Sequence, residues 1–232
     1  MTRLAFSVNA ELCVGCNTCA MACKNQNNLD PGISWRTVYP LSEEIYPHRD
    51  RAFFSLACNH CANPACLRGC PVGAYTKRPD GIVVHNQDTC IGCRACVLNC
   101  PFGVPQFNPN KNNVEKCSMC NERIDAGLLP ACIRACPTNA LTLVDLDAGD
   151  KEGTLAAPPG FPNRPDVGPG TRFKMPKAPV ILIGKKFWKP LDKFIRRKML
   201  NTGLISHGDQ RLYVITDNLR YARQIINEDF EK

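Results

Sequence analysis

Short stretches of alternating apolar and polar residues, broken every few positions by proline or glycine, predict brief strands and turns along most of this chain. AFSVNAEL, residues 5–12, reads as a first strand. AYTKRPDGIVV reads as a hairpin, with strands near Ala74–Thr76 and Ile82–His85 and Arg78-Pro79-Asp80-Gly81 as its turn. ALTLVDL, alternating around Leu141, Leu143 and Leu146, reads as a further strand. Residues 148–180 are dense in proline and glycine and read as a linker that wraps over a surface or stays mobile. Beyond it, Phe187, Trp188, Leu191, Phe194, Ile195 and Met199 recur at helical spacing, opposite Lys189, Lys193, Arg196, Arg197 and Lys198. Leu212–Thr216 reads as a last strand. Asp217 reads as the N-cap of a helix through Leu219, Ala222, Ile225 and Ile226. No run approaches the roughly 18 apolar residues of a membrane span, so none is expected.

Composition changes this picture through one residue type. Cysteine supplies 16 of 232 positions, and the 44% hydrophobic content includes it. A core this thin in aliphatic side chains needs another source of cohesion. The cysteines fall into four groups of four, with none left over. The first holds Cys13, Cys16, Cys19 and Cys23, and the second Cys58, Cys61, Cys66 and Cys70. The third holds Cys90, Cys93, Cys96 and Cys100. The fourth is split into Cys117 and Cys120, then Cys132 and Cys136. Groups one and three are C-x2-C-x2-C-x3-C, the bacterial ferredoxin spacing for a [4Fe–4S] cluster. Three thiolates two residues apart on a tight loop can surround one corner of a cuboidal cluster, and the loop aims backbone N–H groups at the sulfurs. The fourth cysteine, a helical turn further on, ligates the other cluster of the pair. Pro71, Pro101 and Pro137 each follow such a cysteine and turn the chain.

Zinc is the main rival, since two C-x2-C pairs make a zinc ribbon, but ribbons separate their pairs by a dozen or more residues. Disulfides would need an oxidising compartment. The N-terminus MTRLAFSVNAELC has no apolar signal region, cleavage site or twin arginine. The expected location is cytoplasmic or membrane-associated through partners, with co-export beside a signal-bearing catalytic subunit as the exception.

The formal charge of +8 invites a nucleic-acid reading, but it counts every cysteine as neutral. A [4Fe–4S]2+ core with four thiolates carries about −2, so four clusters contribute about −8 and no nucleic-acid partner is expected. Residues 172–198 keep ten Lys/Arg against the single acid Asp192. That stretch can be a helix with a solvated basic face, a docking site for a partner subunit, or a contact with an anionic membrane surface. No P-loop, G-x-G-x-x-G or HExxH occurs, so no catalytic residue is assigned. His60 lies inside CNHC, where packing is favoured over cluster tuning, while His48, His85 and His207 belong to no constellation. Arg94, Lys116 and Arg134 stand near cysteines, with ordinary surface charge the favoured reading for each.

The four groups together resemble the four-cluster electron-transfer subunits of the dimethyl sulfoxide reductase family of molybdenum and tungsten oxidoreductases. The resemblance rests on CVGCNTCAMACKNQNN, CNHCANPACLRGCPVGAYTKRPDGIVV, DTCIGCRACVLNCPFGVPQFN and KCSMCNERIDAGLLPACIRACPTNAL, and covers residues 5–146. Lys24 stands where a simple ferredoxin has proline, which suits this family's first group. The resemblance implies four [4Fe–4S] clusters and their ligands. Cys13, Cys16, Cys19 and Cys136 would hold the first, and Cys23, Cys117, Cys120 and Cys132 the second. Cys58, Cys61, Cys66 and Cys100 would hold the third, and Cys70, Cys90, Cys93 and Cys96 the fourth. It implies a linear order from the first cluster, beside the catalytic subunit, to the fourth, on the side of a membrane-anchor subunit or soluble carrier. Some relatives have tryptophan at the place of Cys93 and a [3Fe–4S] cluster there; Cys93 keeps the fourth site [4Fe–4S].

The expected fold is α+β: two ferredoxin-like units, the second inserted in the first. Unit one spans 1–49 and 112–147, unit two 50–111, the linker 148–180 and a basic amphipathic extension 181–232. The expected function is electron relay between a large molybdopterin catalytic subunit and a quinone-linked or soluble partner, with no catalysis by this chain. The rivals are a subunit of a tungsten aldehyde oxidoreductase or hydrogenase, a free polyferredoxin and, remotely, a zinc-binding nucleic-acid module.

Overall fold

The structure, a computed structural model, describes residues 2–40, 53–149, 154–158, 160–175, 180–194, 213–220 and 222. It divides into two compact units, Met1–Met175 and Pro176–Lys232. The first contains all sixteen cysteines.

Strand β1 (Leu4–Asn9) is the spine of the first unit. Phe6 and Val8 bury their side chains, as the alternation in AFSVN predicts, and the small Ala5 is buried as well. β8 (Leu141–Asp145) runs antiparallel along one edge, with Leu4 opposite Asp145 and Val8 opposite Leu141. The Asp145 carboxylate accepts the Arg3 N–H at 2.9 Å and closes that end of the pair.

The other edge is taken by β9 (Arg172–Lys174), parallel to β1 with Val8 opposite Phe173. This strand lies in the segment whose composition reads as a linker. Its prolines and glycines make turns that let Phe161, Val167 and Phe173 reach the core. Phe173 is fully buried, with its ring 5.1 Å from both Phe54 and Phe161. The segment also straps the second cysteine group through backbone bonds. Ala62 N donates to Gly168 O at 2.8 Å, Asn63 N to Val167 O at 3.0 Å, and Gly170 N to Asn59 O at 2.8 Å. A Cβ at Gly170 would stand 2.6 Å from the Asn59 carbonyl, so the close approach requires glycine.

The rest of the unit is short helices and two-stranded ribbons. The helices are α1 (Thr18–Gln26), α2 (Ala65–Arg68), α3 (Ala95–Asn99), α4 (Asn121–Asp125) and α5 (Ala131–Arg134). The ribbons pair β2 (Thr37–Pro40) with β3 (Phe53–Leu56), β4 (Tyr75–Lys77) with β5 (Val83–His85), and β6 (Gln106–Asn108) with β7 (Asn113–Glu115). The β4–β5 hairpin turns through Arg78–Gly81 as its sequence predicts, with Gly81 at φ +85°. Cysteines are part of the packing: Cys19, Cys58, Cys117 and Cys132 share one core with Phe6, Val8, Phe54 and Phe173, and Cys66 and Cys96 share another with Tyr75, Val83 and Val114.

In the second unit, β10 (Val180–Ile183) pairs in parallel with β11 (Tyr213–Thr216), and α6 (Lys185–Phe194) follows β10. Asp217, read as the cap of a final helix, accepts the N–H of Lys185 at 2.8 Å and so caps α6. Phe187, Leu191 and Phe194 of the predicted apolar face are exposed. Ile195, Arg196, Arg197, Lys198, Met199, Ile225 and Ile226 lie outside the described residues. Among the described residues, no helix is long and apolar enough to cross a membrane.

Candidate iron–sulfur sites

The first C-x2-C pair of each of the four groups folds the same way locally. The residue before the second cysteine has a positive φ each time: Gly15 at +70°, His60 at +41°, Gly92 at +68° and Met119 at +57°. Two of these are glycines, which adopt that conformation freely. His60 and Met119 are not, and both are fully buried, so the surrounding packing sustains their strain. The turn points N–H groups at sulfur. The N–H of Met119 donates to Cys117 Sγ at 3.3 Å and that of His60 to Cys58 Sγ at 3.5 Å. Elsewhere Ala74 N donates to Cys70 Sγ at 3.3 Å and Val114 N to Cys90 Sγ at 3.5 Å. Such bonds favour an anionic sulfur.

The cysteines gather across the sequence groups. Cys13, Cys16, Cys19 and Cys136 line one pocket. Cys58, Cys61, Cys66 and Cys100 line a second, and Cys70, Cys90, Cys93 and Cys96 a third. Cys23, on α1, faces Cys117, Cys132 and Cys120, where α1 packs on α5. The quartets follow one another in space. Arg36 acts on Cys132 and Cys117 of one quartet and Cys19 of another. Cys117 acts on Cys58 of the next. Tyr75 is acted on by Cys96 and Cys66, which belong to the last two. Cys16 and Cys93, in the two end quartets, are the exposed cysteines.

The electrostatics call for a cationic core within an anionic whole. Burial pushes the Cys61, Cys66 and Cys117 thiols up to about 12, with neighbouring cysteines adding to the rise. Burial drives Cys23 up as well, with Cys117 next in effect. Four thiolates crowded together away from water repel one another, and bound iron removes that penalty by displacing their protons. No disulfide joins any of the sixteen cysteines, and among the described residues no three His, Cys, Asp or Glu stand close enough to hold a single metal ion. Wide thiol quartets of this kind fit a polynuclear guest.

Buried cations fit the same guest. Arg36 is 2% exposed, and among the described residues no carboxylate pairs with it. Burial opposes its charge, and Cys132, Cys117, Cys19 and Cys23 outweigh that opposition. Lys116 is buried too, contrary to its reading as surface charge. It donates from Nζ to Val83 O and, at 2.9 Å, to Cys117 O. An isolated buried charge is costly unless an opposite charge meets it, and anionic clusters would meet both. Arg94 and Arg134 are exposed, as expected; Arg94 lies over the Phe107 ring at 3.7 Å.

His60 is packed more tightly than its motif suggested. Its Nδ1 accepts the Val83 N–H at 3.0 Å, which places its proton on Nε2. Burial, then Lys116, Lys77 and Arg36, holds it neutral, well below the usual histidine range. The places of Arg36 and Tyr75 among the cysteines escaped the sequence reading, because no motif marks them. The positive-φ positions had a signal, since Gly15 and Gly92 occupy the same place in two groups.

Two family models match the chain: a 4Fe-4S dicluster domain over residues 49–146 and a 4Fe-4S binding domain over residues 6–26. The B subunit of the anaerobic dimethyl sulfoxide reductase of Escherichia coli (strain K12) is 39% identical over 165 residues, covering 67% of this chain and 80% of the relative. Its counterpart in Haemophilus influenzae is 36% identical over 171 residues, covering 68% and 82%. The arsenate respiratory reductase iron–sulfur subunit of Shewanella sp. (strain ANA-3) is 32% identical over 193 residues, covering 62% and 82%.

Proposed function

Because the chain belongs to the family of iron–sulfur electron-transfer subunits of dimethyl sulfoxide reductase-type complexes, we propose that its four cysteine quartets each hold one [4Fe–4S] cluster in a single relay. The chain is a non-catalytic subunit of a reductase complex and carries [4Fe–4S] clusters. When bound, such clusters supply one-electron transfer. The protein's part is to hold them close, shield the middle of the row and tune their potentials through N–H donors and fixed charge.

The ligand sets are the quartets as they gather: Cys13, Cys16, Cys19 and Cys136; Cys23, Cys117, Cys120 and Cys132; Cys58, Cys61, Cys66 and Cys100; Cys70, Cys90, Cys93 and Cys96. The first two sets combine groups one and four of the sequence, and the last two combine groups two and three. The pairing of β1 with β8 and the packing of α1 on α5 support the insertion of residues 50–111 as a second ferredoxin-like unit.

One observation carries the relay reading. The middle quartets have no exposed cysteine, while each end quartet has one, with exposed apolar residues before and after it in the chain. Val14 and Met21 flank Cys16, at 60% and 57% exposure, and Ile91 and Leu98 flank Cys93, at 60% and 86%. Two apolar patches at opposite ends of a cluster row suit two redox partners, since exposed apolar patches mark interaction sites. The partner at the Cys16 end would be a large molybdopterin subunit carrying molybdenum or tungsten. The partner at the Cys93 end would be a membrane anchor or soluble carrier, and this chain would reach the membrane only through it. The exposed apolar residues of α6 and its lysines would add a contact with the partner subunits.

Cys93→Ser tests the arrangement. It should alter the EPR signal of one cluster, the one expected farthest from the catalytic subunit, and leave the other three as in the wild type. A spectrum with no altered cluster would overturn the assignment.

A further inference from the structure

We propose that Arg36 is a charge shared by the first two clusters of the relay, stabilising an added electron on either one. The inference rests on the ligand sets proposed above. Arg36 is one of the largest fully buried side chains, and it sits where two quartets face each other. Its guanidinium lies over the Phe6 ring, 4.3 Å from the centroid, and Phe6 is a central residue of β1. That contact fixes the plane of the group. Nη1 donates to the Ser55 carbonyl at 3.2 Å and to Ser55 Oγ at 3.0 Å. With its lone pair engaged, the Ser55 hydroxyl can donate to Cys19 Sγ, 3.3 Å away. The charge is thus relayed onto a thiolate of the first set. Nε and Nη2 are buried and, among the described residues, have no hydrogen-bond partner. They are the donors left for the sulfurs of the second set, whose Cys132 and Cys117 are foremost among the cysteines acting on this group.

Charge arithmetic gives the direction. With four thiolates, a [4Fe–4S] centre is about −2 when oxidised and about −3 after taking one electron from its redox partner. A fixed positive charge stabilises the second state more than the first, and burial leaves little water to screen it. Arg36 therefore raises both potentials. The two stabilisations add, because a fixed charge acts on each cluster independently.

The test uses the intact complex, with iron analysis and EPR-monitored redox titration. Arg36→Met should keep the full iron content yet lower the reduced-to-oxidised ratio of two clusters at least tenfold at fixed poise, which is about 59 mV for one electron. The clusters at Cys58 and Cys90 should not move. Arg36→Lys should restore most of the shift. Ser55→Ala should lower only the cluster that Cys19 ligates, and this variant decides the matter if Arg36→Met fails to load iron. A structural role alone would disturb iron content without an ordered shift in potential. Full iron with all four potentials unchanged in Arg36→Met, or an unchanged Cys19 cluster in Ser55→Ala, would overturn the proposal. An error in the ligand sets is separable from this outcome. Cys19→Ser and Cys132→Ser would then disturb the same signal instead of two different ones.

Discussion

Gly92 stands between Ile91 and Cys93, in the turn that brings Cys93 beside Cys90, and Gly92→Ala should cost this chain one cluster. Two effects add. At φ +68° an alanine side chain meets the left-handed penalty of about 1–2 kcal/mol. Its Cβ would also lie 2.5 Å from the Asn112 carbonyl oxygen and 3.4 Å from the Phe107 ring. The oxygen is backbone, in the turn between β6 and β7, and cannot swing aside as a side-chain tip would. Forcing a methyl group into packed space costs about 1–3 kcal/mol more. Gly127 is the control: its φ is +73°, and nothing lies within 4 Å of the place a methyl group would take. Gly127→Ala should carry only the first penalty. The difference between the variants corresponds to roughly tenfold to a hundredfold in the equilibrium between closed and open loop. Iron per chain after anaerobic purification and chelator challenge reads this out. Gly127→Ala should hold wild-type iron, while Gly92→Ala should lose about a quarter of it, with the lost signal belonging to the Cys90–Cys93–Cys96 site. Equal iron retention in the two variants would refute the reasoning.

Other outcomes follow from the packing and the charges. Phe173→Ala, in β9, should destabilise the first unit by about 3–5 kcal/mol in denaturant titrations, because the ring is fully buried between Phe54 and Phe161; a surface linker would tolerate it. Arg78 grips the Asp125 carboxylate with both Nη atoms, at 2.9 and 2.5 Å, tying the β4–β5 hairpin to α4. Those bonds hold the Asp125 carboxyl below its usual range. Its contribution to stability is therefore fully present above the unfolded value of about 3.9 and is lost as pH falls through the lower folded value. Asp125→Asn should remove that part of the acid dependence in pH-resolved melting curves. Deleting residues 181–232 should leave iron content unchanged and weaken assembly with the partner subunits, read by gel filtration of the complex.

Much of the site was legible because cysteine spacing is a covalent constraint. Groups one and three declare their turns through C-x2-C-x2-C-x3-C, and β1, β8 and the β4–β5 hairpin follow from local alternation and the Pro79-Asp80-Gly81 turn. What stayed hidden depends on distant partners. The strand at Arg172–Lys174 forms because Phe173 finds Phe54 and Phe161, and nothing in a proline-rich stretch announces that. The β2–β3 ribbon and the strand at Val180–Ile183 went unread for the same reason. Lys116 and Arg36 look like ordinary polar residues in sequence; only the fold brings cysteines around them and makes buried cations favourable. Asp217 shows the same limit locally, since it caps α6 and its nearest sequence neighbours give no hint of that.

Sixteen thiolates holding four [4Fe–4S] clusters in a relay fix the metal content of the chain. Metal and acid-labile sulfide analysis of the anaerobically purified native complex reads that content. About 16 irons and about 16 sulfides per chain, with molybdenum or tungsten in a co-eluting large subunit, is the predicted result. About one zinc per four cysteines, with neither iron nor sulfide, would contradict it.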